Sequence, residues 1–157
     1  MRRTILSALS ATVMLAGLVF AQAPANFAGK WTLVPNPNAT GMGGLGSEAT
    51  IVQDEKTLTI TRTTQMGEFK TVHNLDGSES KNTLNFNGNA IEQLSKAKWD
   101  GGKLTITTSM NFNGNPVETS MTMTLDSAGA LQVESTRPDF FQGGGQPITT
   151  KMSYKKN

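Results

Sequence analysis

Few residues in this chain have side chains that could do chemistry. His73 is the single histidine among 157 residues, and there is no cysteine. Those two counts exclude a disulfide scaffold, a thiolate zinc site, a cysteine nucleophile, a lipid-modified cysteine and a multi-histidine metal centre within one chain. A serine triad would have to use His73, and no G-x-S-x-G motif accompanies it. Most carboxylates fall at turns or on polar faces, so no pair converges for glycoside chemistry. The run Gly41-Met42-Gly43-Gly44-Leu45-Gly46 is followed by neither Lys-Ser/Thr nor a helical pattern, so it lacks the parts of a phosphate cradle. The expectation is a protein that is not an enzyme and carries no cofactor and no metal.

Binding is the better use of these side chains. Arg62 continues the alternating phase of Leu58 and Ile60, and Arg137 continues that of Leu131 and Val133. If those faces point inward, each guanidinium needs a partner, either an anionic ligand headgroup or an internal acid. The alternative is that both reach solvent at strand ends, since Arg137 precedes the strand-breaking Pro138. His73 shares phase with Phe69 and Leu75, as a hydrogen-bonded wall residue would. Met121 and Met123 continue the apolar phase of Val117 and Leu125, which favours packing over a Cu(I)-binding thioether pair. With Met110, Phe112 and Tyr154, also in inward phase, these residues form the candidate ligand-binding set.

Strands must position them. Beyond residue 21, no stretch sustains a 3.6-residue period, whereas alternation of period two recurs, most clearly in Thr57-Leu58-Thr59-Ile60-Thr61 and Lys103-Leu104-Thr105-Ile106-Thr107. Turn residues such as Asp54-Glu55-Lys56, Asp76-Gly77, Asn87-Gly88-Asn89, Asp100-Gly101-Gly102, Asn113-Gly114-Asn115 and Ser127-Ala128-Gly129 divide the chain. They leave strands near 27–34, 48–54, 57–65, 68–75, 81–87, 90–99, 103–112, 116–125, 130–137 and 146–155, the weakest being 81–87. Short loops imply that sequential strands pair. A meander with one apolar face closes to remove its edges, which predicts an all-β, antiparallel up-and-down β-barrel of about 8–10 strands.

The first 21 residues are expected to be removed. Arg2 and Arg3 precede an apolar run, Ile5 to Phe20, of about 16 residues, short of the roughly 20 that span a bilayer. Val19-Phe20-Ala21 offers small-enough residues for cleavage after Ala21. Residues 1–21 thus read as a signal peptide and 22–157 as one barrel domain, with a Pro/Gly-rich loop over 35–47. The leader holds two of the 14 basic residues and none of the 12 acidic ones, so the remainder is formally neutral. No basic stripe is left for nucleic acid, and membrane insertion is not expected. Export without disulfides suits a bacterial periplasm or the extracellular medium.

Phe27-Ala28-Gly29-Lys30-Trp31 opens the mature chain with a G-x-W, Lys98-Trp99-Asp100-Gly101 precedes an alternating strand, and Ser153-Tyr154-Lys155-Lys156 closes the chain. In these features the chain resembles lipocalins and fatty-acid-binding proteins, and small exported bacterial proteins of lipocalin-like fold. The resemblance implies a calycin-type barrel whose tryptophan packs across its base and whose interior holds a small apolar ligand. Two departures stand out. Pro35-Asn36-Pro37 and the glycine run cannot form the helical lid of fatty-acid-binding proteins. Met152 stands where their closing strand carries an arginine that holds a carboxylate.

The expected function is binding of a small, largely apolar molecule inside the barrel. The alternative is an envelope interaction module whose barrel is filled by its own side chains. Trp31 and Trp99 are expected to close the structure at one end. Met42 and Leu45 on one loop, and Phe140 and Phe141 on another, are expected to form a portal, since a ten-stranded count puts both loops at the same end.

Overall fold

The computed structural model describes residues 23–36, 44–64, 67–86, 88–112, 114–139 and 146–157. The proposed leader and the portal residues Met42, Phe140 and Phe141 lie outside them, as does the side chain of Phe112. Ten strands are present among the described residues. They are β1 (Gly29–Leu33), β2 (Glu48–Gln53), β3 (Thr57–Thr64), β4 (Gly67–Asn74) and β5 (Ser80–Phe86). They continue as β6 (Asn89–Asp100), β7 (Lys103–Phe112), β8 (Asn115–Leu125), β9 (Leu131–Arg137) and β10 (Ile148–Lys156). The weakest expected strand, near 81–87, exists as β5.

Alternating Thr, Val, Ile and Leu favour extended backbone with one face buried. The order β4-β3-β2-β1-β10-β9-β8-β7-β6-β5 is antiparallel throughout. The first and last strands join through Trp31↔Lys156 and Leu33↔Tyr154. Hydroxyl pairs brace the outer face, Thr105 against Thr122 at 3.1 Å and Thr136 against Thr149 at 2.9 Å. Among the described residues no helix is long and apolar enough to cross a membrane.

The expectation that all sequential strands pair fails once. Strands β4 and β5 share no ladder, although only a short turn separates them. Side chains take over there. The Asn82 carboxamide accepts from the Val72 N–H at 2.8 Å and donates to the Val72 carbonyl at 2.9 Å, as a peptide group on a neighbouring strand would. Ser80 Oγ accepts from the Asn74 N–H at 2.6 Å. The barrel is therefore nearly closed, with a seam of side-chain bonds between two backbone edges.

The closed end is built around the segment before β1. Phe27 is fully buried and lies just outside the strand, where the sequence had suggested strand from 27. Its ring stacks on Trp99 at 5.8 Å between centroids, and its carbonyl accepts from Trp31 Nε1 at 2.8 Å. Gln53 repeats the carboxamide device, accepting from the Phe27 N–H and donating to the Ala25 carbonyl. The G-x-W has a packing reason. At Gly29, with φ of 144°, an added Cβ would lie 2.5 Å from Lys156 Cε. The Lys156 side chain crosses that space to bring its ammonium 5.5 Å from the Trp31 ring centre. Turns are set by acids whose oxygens collect backbone N–H groups, as Asp54 does from Lys56 and Thr57, and these bonds hold its carboxyl below the usual range.

Trp31→Ala is expected to cost about 3–5 kcal/mol in denaturant unfolding, because the rigid closed end cannot collapse onto the void. Asn82→Ala leaves the Val72 amide and carbonyl without their partner and is expected to cost about 1–3 kcal/mol. Hydrogen exchange at Val72 should accelerate with it, and unchanged exchange would show that the seam is held by something else.

Candidate functional site

Inside the barrel, side-chain size changes along the strands. In β7 the inward phase runs Leu104, Ile106, Thr108, Met110; in β8, read from the other end, it runs Met123, Met121, Thr119, Val117. In β9 it runs Leu131, Val133, Ser135, Arg137. Leu104, Met123, Leu131 and Val133 belong to the solid core. Thr108, Thr119 and Ser135 are too short to meet across the lumen, and a cavity of about 450 Å³ remains. That lies within the roughly 300–1,000 Å³ usual for small-molecule sites.

Ile60, Ile106, Met110 and Met121 supply its apolar wall, and Thr71, His73, Gln93, Thr108, Thr119 and Ser135 its polar wall. Arg62 and Arg137 also line it, together with Gly44 and Leu45 from the loop between β1 and β2. No Asp or Glu stands among these lining residues. A second groove of about 520 Å³ lies at the closed end, bordered by the segment before β1, the turn after β2, and the strand-end residues Gln53 and Trp99.

Arg62 Nη1 donates to the Gly44 carbonyl at 3.2 Å, while its Nε is buried with no hydrogen-bond partner. Burial pushes this guanidinium below its ordinary value, opposed by the neighbouring Tyr154 hydroxyl. Arg137 Nη1 reaches the Pro138 carbonyl at 3.4 Å. His73 is locked between Ser95 Oγ at 2.8 Å and Thr71 Oγ1 at 3.1 Å. Desolvation, and then the positive charge of Arg62, lowers its pKa from 6.5 to about 4. The imidazole is neutral at neutral pH.

The described end of the loop between β1 and β2, Gly44 and Leu45, enters the barrel end. Leu45 is fully buried, and its N–H donates to Tyr154 Oη at 3.0 Å. Tyr154 in turn donates to Met152 Sδ at 3.6 Å. Burial raises the Tyr154 pKa, against the Leu45 N–H and the Arg62 charge. Gly44, at φ of 67°, packs against the Met152 side chain so closely that an added Cβ would lie 2.7 Å from Sδ.

Of the candidate ligand-binding residues, Arg62, His73, Met110, Met121 and Arg137 meet around the cavity. Met123 and Tyr154 lie in the solid core and do not line it. Leu45, expected in a portal, touches the cavity from a fixed, buried position. Trp31 is buried at the closed end, and Trp99 is half-buried there against Phe27. Sequence reasoning passed over Thr71, Gln93, Thr108, Thr119 and Ser135. Their signal was a hydroxyl or amide interrupting an apolar phase one step beyond the core.

Among the described residues no cluster of three or more His, Asp or Glu is placed to hold a metal ion. Compared with known proteins, the chain matches no protein-family model and no curated protein. The fold and site define an all-β, antiparallel up-and-down, nearly closed ten-stranded barrel, compatible with a calycin-like fold.

His73 gives a pH dependence of defined sign. The folded protein holds it neutral, whereas the unfolded chain takes up a proton near 6.5, so acid favours unfolding. Stability due to this group is complete above pH 6.5 and is lost as pH falls towards 4, amounting to about 3 kcal/mol. Denaturant titrations at stepped pH should show that slope, and His73→Gln should remove it. A slope that persists in His73→Gln would assign it to other groups.

Proposed function

We propose that this protein is an exported, lipocalin-like barrel that binds a small molecule with a substantial apolar part inside its open half, in the periplasm or outside the cell. The observation that carries the proposal is the walled cavity of about 450 Å³ that opens beyond a solid core. Its apolar side chains would take the hydrophobic part of a ligand, and its hydroxyls, amide and guanidiniums would orient the rest. Export rests on the leader-like residues 1–21.

Binding without turnover fits the groups present. The His73–Ser95 pair has the contact of a nucleophile and its base, but Ser95 is buried and does not line the cavity. The imidazole is tied at both nitrogens by hydroxyls, with no carboxylate to orient it.

The test uses N-phenylnaphthylamine, a neutral dye whose fluorescence rises in apolar surroundings. The protein is expected to bind one dye per chain, and Thr108→Trp, which fills the cavity from its wall, should weaken binding by at least roughly tenfold at an unchanged Tm. Absence of dye binding in the wild type would favour a module with no ligand. Equal binding by Thr108→Trp would move the site elsewhere.

A further inference from the structure

We infer that the cavity selects an anionic amphiphile, its headgroup held by Arg62 with Arg137 supplying further positive charge, and its apolar part lying on Ile60, Ile106 and Met121. The inference rests on the small-molecule reading above and gives that ligand a charge and an orientation.

The charge balance of the lining comes first. Two guanidiniums border one lumen and no carboxylate does. His73 adds no charge at neutral pH. On the outer face, Glu92 pairs with Lys81 at 2.5 Å and Glu134 with Lys151 at 3.0 Å. The lining thus carries basic side chains and no acidic one, although the chain without its leader-like segment is formally neutral. Low-dielectric walls concentrate such a field.

The hydrogen-bond balance of Arg62 comes second. Nη1 is used on a carbonyl, an acceptor without net charge, and Nε is buried and unpaired. A guanidinium offers five N–H donors in a planar fork that matches an oxyanion. Where Arg62 lines the cavity, an oxyanion would meet this guanidinium with charge-assisted bonds that the neutral Gly44 carbonyl cannot give. Position comes third. Arg62 lies towards the end of β3 and Arg137 ends β9, two strands that run to the same end of the barrel. Ile106 and Met121, paired across β7 and β8, belong to the deeper apolar wall. The headgroup therefore sits towards the open end and the tail points to the core. This cationic pair lies on β3 and β9, not on the closing strand, where Met152 is turned into the core.

Two dyes with one ring system provide the test: anilinonaphthalene sulfonate, an anion, and N-phenylnaphthylamine, which is neutral. The wild-type protein is expected to bind the anion about tenfold more tightly than the neutral dye, and Arg62→Gln should bring that ratio close to one. Displacement of the anionic dye by decanoate, decyl sulfate and decanol then separates carboxylate from sulfate recognition, with decanol the weakest competitor. Equal affinities in the wild type, a ratio untouched by Arg62→Gln, or displacement by decanol as strong as by decanoate would overturn the inference. Should Arg62→Gln not fold, Arg137→Gln is read by the same ratio, and an unchanged ratio counts against the anion. A wild-type protein that binds the neutral dye without preferring the anion refutes the charge selection alone. One that binds neither refutes the small-molecule reading itself.

Discussion

A sheet encloses space only if its last two edges meet, and here β4 and β5 meet without exchanging a single rung of ladder. Asn82 and Ser80 hold the junction by presenting side-chain oxygens and an amide to the backbone of β4. Everything inside depends on that contact. The neutral state of His73 and the altered acidity of Arg62 and Tyr154 are all consequences of removing water from the lumen. A barrel opened along this seam would hydrate those groups and return them to ordinary solution behaviour. Carboxamides suit such places because each carries a donor and an acceptor in the geometry of a peptide group. Gln53 does the same for the segment leading into β1.

The molecule divides its interior between two tasks. One half is packed solid, with Phe27, Trp31, Leu58, Leu104, Leu131 and Tyr154 giving the dense contact that makes a fold unique. The other half retains the same strand phase but sets Thr108, Thr119 and Ser135 where the solid half has longer side chains. Threonine keeps the β-branched shape that strands favour while surrendering volume. The cavity thus costs little in local preference for extended structure, and the solid half carries the stability that the hollow half forgoes.

Much of this was legible in the chain. Strict alternation in stretches such as Leu58-Thr59-Ile60 revealed the strands, Asx-Gly and Asp-led turns separated them, and phase put Arg62, Arg137 and His73 on the apolar side while leaving open whether the two guanidiniums reached solvent at strand ends. Depth was not legible. Phase shows which face a side chain occupies, but not how far along a tilted strand the core ends, so Met121 and Met123 looked alike although one borders the cavity and the other is fully buried. The seam was hidden for another reason. Asn82 and Ser80 are ordinary strand and turn residues by composition, and only the approach of β4 makes them a substitute ladder. Phe27 looked like the start of a strand because it shares phase with Trp31, yet it enters the barrel end as a stopper.

The segment around Phe27 has a mechanical corollary. It lies at the closed end, where β1 begins, and β10 finishes beside it, with the Asn157 N–H donating to the Lys30 carbonyl at 3.0 Å. Two neighbouring antiparallel strands thus emerge at one pole, opposite the hollow half. A pull between those emerging ends would load the β1–β10 junction like a zip, one pair of bonds at a time, rather than shear all of them together. The opening would start beneath Trp31 and travel towards the hollow half. Attachment to a surface through either end would, for the same reason, leave the opposite pole facing outward.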